Sequence, residues 1–190
     1  MTSASRRTMP LIIRGMLLIA RGQARGLNCF RDTPRAYLAS LAPGMGLLLG
    51  ATIEALAEGA GASAFAEIPA SICVLLAPSV LSYELARFWG REAFWNRYIV
   101  AFNWCQWLLP LIALLLVLVA SFAQIAGLSG GSSLTLLLFG LGCYALWLNW
   151  FIARHGLALS GWRAALMVAT VNLGTMTILI VHVLLATNSE

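Results

Sequence analysis

The sequence predicts an all-α fold: a polytopic membrane bundle of five transmembrane helices preceded by an N-terminal amphipathic interfacial helix. Three observations predict it. Hydrophobic residues fill 61% of the 190 positions and charged residues 10%, with a mean hydropathy of +0.86. A water-exposed domain carries roughly 25% charge, so this composition cannot cover one. The 24 residues from Ile99 to Phe122 carry no charge. As a helix they extend about 36 Å at 1.5 Å per residue, enough to cross a hydrocarbon core of about 30 Å with some tilt. Finally, all twelve basic residues are arginines, and they fall in a few short segments between apolar runs.

Residues 1–35 read as a cytoplasmic basic segment. Ser5-Arg6-Arg7 suggests an export signal, but Arg14 interrupts the apolar stretch such a signal needs and no small-x-small cleavage site follows. From Pro10 to Phe30 a single helical wheel fits better. Arg14, Arg21 and Arg25 stand at i, i+7 and i+11, within about 20° of one direction at 100° per residue. Ile12, Met16, Ile19, Ala20, Leu27 and Phe30 gather opposite. Such a helix lies in the membrane interface with its arginines toward anionic headgroups, or packs on the cytoplasmic ends of the spans. Gly15, Gly22 and Gly26 weaken it by about 1 kcal/mol each relative to alanine.

Asp32-Thr33-Pro34 is a stop and turn signal. The transmembrane domain, residues 36–190, follows, with spans at approximately 36–57, 68–85, 99–122, 134–153 and 164–186. The first carries Ala42, Gly46 and Gly50 at four-residue spacing, a small-residue stripe suited to close approach of another helix, within the bundle or in a second copy. The second holds Pro78 and the third Pro110. Uncharged Gly/Ala and Gly/Ser loops separate the first pair and the middle pair, at 59–66 and 126–133.

The arginines set the orientation. Seven precede the first span, three separate the second from the third, and two separate the fourth from the fifth. The other side holds only Glu54, Glu58, Glu67 and Glu190. The positive-inside rule then places the N-terminus in the cytoplasm and the C-terminus in the periplasm, in a cell inner membrane. Exclusive use of arginine points to a GC-rich bacterial genome. The net charge of +5 serves this orientation rather than a nucleic-acid partner.

At equal depth below the cytoplasmic boundary lie four amides, Asn103, Gln106, Asn149 and Asn172, roughly 6 to 12 Å in at 1.5 Å per residue. They are expected to converge, either as interhelical hydrogen-bond glue or as the lining of a polar cleft open to the cytoplasm near Pro78 and Pro110. No charged residue accompanies them at mid-depth, where transport pathways usually carry one. Cys29, Cys73, Cys105 and Cys143 are scattered without metal or disulfide spacing. Neither a phosphate-cradling glycine loop nor a nucleophile elbow occurs. No cofactor, metal or catalytic residue is expected.

Five spans, a cytoplasmic N-terminal segment and short loops, together with the run Trp147, Trp150, Arg154, Gly156, Ser160 and Arg163-Ala164-Ala165, resemble the Yip (Rab/Ypt-interacting) membrane protein family in its bacterial branch. The eukaryotic branch's Asp-Leu-Tyr-Gly-Pro signature is absent, Asp32-Thr33-Pro34 being the nearest stretch. The resemblance implies a non-enzymatic integral membrane protein. The expected role is scaffolding, assembly or membrane organisation, with other membrane proteins or a second copy as partners. The alternative is a small transporter or permease subunit with a cytoplasm-facing polar cleft.

Overall fold

The computed structural model describes residues 3–59, 61–125 and 131–187, and every regular element among them is helical. Helix α1 spans Ser3–Ala20, α2 Pro34–Ala57, α3 Ala62–Phe88, α4 Trp95–Gln106, α5 Leu108–Ile125, α6 Gly131–Gly156 and α7 Gly161–Thr187. Short 3₁₀ segments, Ala24–Cys29 and Glu92–Phe94, precede α2 and α4. Five stretches are long and apolar enough to cross a membrane: Pro34–Ala57, Ile68–Phe88, Glu92–Phe122, Leu137–Gly156 and Gly161–Leu184. The fold is therefore a five-span helical bundle with an additional N-terminal helix. The first of the two expected loops is largely helix, because α3 begins at Ala62. Of the second, residues 126–130 lie outside the described residues.

The N-terminal segment corrects the single wheel drawn from Pro10 to Phe30. Helix α1 stops at Ala20 because Gly22 takes a left-handed φ of +71°, a conformation that costs glycine nothing. The Gln23 N–H then reaches the Leu18 carbonyl at 2.9 Å and the Gly22 N–H reaches Ile19 at 2.8 Å, which satisfies two carbonyls at the helix end. The chain turns back, and the 3₁₀ segment lies along α1. Arg14 and Arg21 keep their common direction, but Arg25 belongs to the returning strand of chain, where its Nε donates to Gln23 Oε1 at 2.8 Å. All three arginines are exposed. The apolar face read from the sequence is the packed one: Met16, Ile19, Leu27 and Phe30 are buried and join the main core. The Tyr144 hydroxyl of α6 donates to the Ala20 carbonyl at 2.9 Å and fastens the end of α1 to the bundle.

Helix α2 starts where Asp32-Thr33-Pro34 predicts. Thr33 is the N-cap, its Oγ1 accepting from the Ala36 N–H at 3.2 Å, and Pro34 occupies the first turn, where its missing N–H would be unpaired anyway. Helix α3 ends at a second left-handed glycine, Gly90 (φ +64°), with the Arg91 N–H on the Ala86 carbonyl at 2.7 Å.

The third span is two helices, not one. Pro110 has no N–H for the Gln106 carbonyl, and its ring would crowd that same carbonyl in a continuous helix. The chain tightens instead, with the Trp107 N–H on the Trp104 carbonyl at 3.2 Å, and α5 starts afresh at Leu108. The break governs the architecture. Five consecutive α4 residues, Tyr98 to Phe102, are buried, which requires neighbours on every side; α1, α2, α3 and α6 supply them. Beyond the break α5 packs on α6, α6 on α7, α7 on α3 and α3 on α2. Helix α4 is thus a half-length central plug, and the other helices form an arc around it.

This arrangement concentrates the core at the arginine-rich end, where Ile19, Tyr98, Ile99, Leu148, Ile152, Leu157 and Met167 are fully buried. Trp95 anchors the start of α4 there, its Nε1 donating to Ser82 Oγ at 3.1 Å between the rings of Tyr37 and Tyr83. Away from that end the helices expose Leu111, Leu115, Phe122, Leu173 and Ile180, a surface suited to lipid.

Candidate functional site

Three of the four expected amides gather at the α4–α5 break. Asn103 lies one turn before it and Gln106 at its last helical residue. The Asn103 amide donates from Nδ2 to Ser40 Oγ of α2 at 2.9 Å, and Ser40 donates onward to the Tyr37 carbonyl at 2.7 Å. The Ser40 hydroxyl is used as both acceptor and donor, which suits its burial at 2% exposure. On the other side of α4, Gln106 Nε2 donates to Asn149 Oδ1 of α6 at 3.1 Å, and Asn149 is buried.

The structure therefore brings together Gln106 and Asn149, directs Asn103 to α2 instead, and leaves Asn172 apart. Asn172 is exposed on α7, and its Nδ2 donates to the Val168 carbonyl of its own helix at 2.8 Å. The expected convergence of four amides is thus corrected to two pairs, Asn103–Ser40 and Gln106–Asn149. Ser40 is the residue that sequence reasoning missed. Its depth was the available signal: it stands as far from Arg35 as Asn103 stands from Arg97, within about one residue or 1.5 Å along the helix.

Of the two places expected for a helix against the stripe of Ala42, Gly46 and Gly50, within the bundle or in a second copy, the described residues do not supply the first. All three are exposed, and a Cβ built on Gly46 or Gly50 meets nothing within 4 Å. Among the described residues no helix packs on Gly46 or Gly50. The close approach of α2 to α3 uses Gly44, whose Cβ would stand 2.7 Å from Leu75 Cδ1.

Because α4 fills the centre over only half the length of the bundle, a cleft of about 400 Å³ opens just past its end. Ser40, Asn103 and Gln106 form its polar edge, and Leu47, Leu75, Pro78, Trp107 and Pro110 are among its apolar walls. A second hollow of about 450 Å³ continues from it, sharing Gly44, Leu47, Val74 and Leu75 and reaching Leu179 and His182 of α7. The edge amides already have partners, so the cleft presents mostly carbon. Among the described residues no three His, Cys, Asp or Glu side chains are placed to hold a metal. A separate hollow of about 650 Å³ lies at the arginine-rich end, between α1, the returning 3₁₀ segment, α2 and α4.

Fold and site together define a polytopic helical membrane protein with a packed, amide-stapled core at one end and a partly filled groove beyond it. No protein-family model, curated protein or solved structure matches the chain.

Proposed function

We propose that the chain is a non-enzymatic protein of a bacterial inner membrane, acting as a scaffold, assembly or membrane-organisation factor with its N-terminus in the cytoplasm. One observation carries this reading. Three of the four intramembrane amides are spent on stapling helices, Gln106 to Asn149 and Asn103 to Ser40, inside a core where Ile99, Cys105, Leu148 and Ile152 are sealed from solvent. A passage needs polar groups turned toward its lumen, and these are turned toward one another. The outward stripe of Ala42, Gly46 and Gly50 adds a surface on which a neighbouring helix, from another membrane protein or a second copy, could approach closely. The likeness to the Yip family agrees with a role of this kind.

A small transporter is the second reading, favoured by the 400 Å³ cleft with Asn103 and Gln106 at its edge. Thiol accessibility separates the two. In inside-out and right-side-out vesicles, Cys105 and a Gln106→Cys variant should react slowly with membrane-impermeant maleimides from either face, while a photo-crosslinker at Gly46 yields higher-mass adducts. Rapid labelling of position 106 from the cytoplasmic face, with no adduct at 46, would replace the scaffold by the transporter. Reporter fusions at Arg91 and at the C-terminus test the orientation. Cytoplasmic and periplasmic signals, respectively, are expected, and a reversed pair overturns it.

A further inference from the structure

We propose that the 650 Å³ hollow between α1, the returning 3₁₀ segment, α2 and α4 is a binding site for one anionic phospholipid. Its volume falls within the roughly 300–1,000 Å³ typical of ligand pockets. Two exposed arginines, Arg31 and Arg35, stand on its lining, and no carboxylate is among the lining residues. The site therefore selects negative charge. The opposite wall is carbon: Ile12 of α1, Ala39 of α2, and Val100 and Trp104 of α4.

This division follows the membrane's own layers. Arg31 and Arg35 flank the first residues of the first span, where headgroup phosphates lie. Ala39 and Trp104 stand roughly one to two turns further along their helices, at about 5.4 Å per turn, toward the hydrocarbon. A soluble anion would use the arginines and leave the carbon wall wet; a fatty acyl chain beneath a phosphate uses both. The exposed Arg14 of α1 and Arg21, just past its end, would meet anionic lipid only as a surface; the hollow would hold a single molecule in register. The proposal goes beyond the scaffold reading and stands or falls without it, since its readout is lipid retention and not partner capture or thiol access at position 106.

Native mass spectrometry of the full-length protein in mild detergent tests it, with dioleoyl phosphatidylglycerol, dioleoyl phosphatidylcholine and inorganic phosphate added separately. A one-to-one adduct with phosphatidylglycerol is expected. Arg31→Gln with Arg35→Gln should retain it roughly 30-fold less, about fivefold for each arginine near a lipid phosphate. Arg14→Gln with Arg21→Gln should leave it unchanged, and Ala39→Phe, which fills the acyl wall and keeps both arginines, should weaken it. Cys29 lines the same hollow and supplies a readout that needs no arginine variant. In a Cys73→Ser, Cys143→Ser background, phosphatidylglycerol should slow its maleimide labelling more than phosphatidylcholine does. Equal retention by the parent and the Arg31/Arg35 variant overturns the proposal, as does equal protection of Cys29 by the two lipids. Inorganic phosphate binding as tightly as the lipid would assign the hollow to a soluble phosphate compound and overturn it too.

Discussion

Gly15 of α1 and Gly26 of the returning 3₁₀ segment lie back to back, so close that a Cβ on Gly26 would stand 2.7 Å from the Gly15 carbonyl oxygen. A Cβ on Gly15 would in turn meet Cys29 Cβ and the Phe30 ring at 2.8 Å. The glycines that weaken a continuous helix are the residues that let this hairpin close. Closure is what buries Leu27 and Phe30 against Met16 and Ile19.

Gly26→Ala should therefore destabilise the protein even though alanine is the better helix former. The obstacle is backbone, which cannot swing aside as a side chain does, so the cost should resemble overpacking, about 1–3 kcal/mol. For a chain of this size that is roughly 2–4 °C of melting temperature per kcal/mol, readable by a thermal-shift assay in detergent. An unchanged melting temperature would mean that the hairpin does not form as described.

Gly46→Leu should leave monomer stability unchanged, because nothing among the described residues lies within 4 Å of the added Cβ. Any effect should appear only in the mass of the assembled species. Gly44→Val is the contrasting variant: it drives into Leu75 across the α2–α3 contact and should lower the melting temperature. If Gly46→Leu is the more damaging of the two, α2 is rotated relative to its position here.

The Gln106–Asn149 bond should show as coupling in a double-mutant cycle. Interhelical hydrogen bonds in membranes average about 0.6 kcal/mol, and a stranded buried amide costs about 1–3 kcal/mol. Either single change, Gln106→Leu or Asn149→Leu, should thus cost more than half of the double change. Asn172→Leu should be near neutral, since its side chain bonds its own helix on an exposed face. Additive single effects at 106 and 149 would remove the staple.

Depth was legible in the sequence and azimuth was not. Arginine positions and apolar run lengths place a residue along its helix, so the five spans emerge directly. The direction a residue faces requires one side of the helix to differ from the other. Helices α2 and α7 are apolar nearly all round, so nothing in their composition separates Gly44 from Gly46 or turns Asn172 outward. In α1 the two faces do differ, and there the packed set of Ile12, Met16 and Ile19 was readable. The reversal at Gly22 was hidden because Arg25 falls into phase with Arg14 and Arg21 by spacing alone. Pro110 was visible, but an uncharged run through residues 99–122 gives no sign of the turn at Trp107.

That turn offers the last test. Pro110→Ala restores the N–H that the Gln106 carbonyl lacks and removes the ring that crowds it. Helices α4 and α5 should then join into one helix. Helix α4 is held on all sides by α1, α2, α3 and α6, whereas α5 exposes Leu111, Leu114, Leu115 and Leu118 and packs chiefly on α6, so α5 should be the part that moves. Straightening carries it away from its present place beside α6 and changes the cleft that Trp107 and Pro110 now wall. Spin labels at Leu118 of α5 and Cys143 of α6, with the other exposed thiol Cys73 replaced by serine, should report a longer or broader distance distribution in Pro110→Ala than in the parent. The Gln106–Asn149 coupling should weaken in parallel, because the rotamer of Gln106 is set by the end of α4. An identical distance distribution would show that the break is held by the packing of α4 and α5 rather than by the proline.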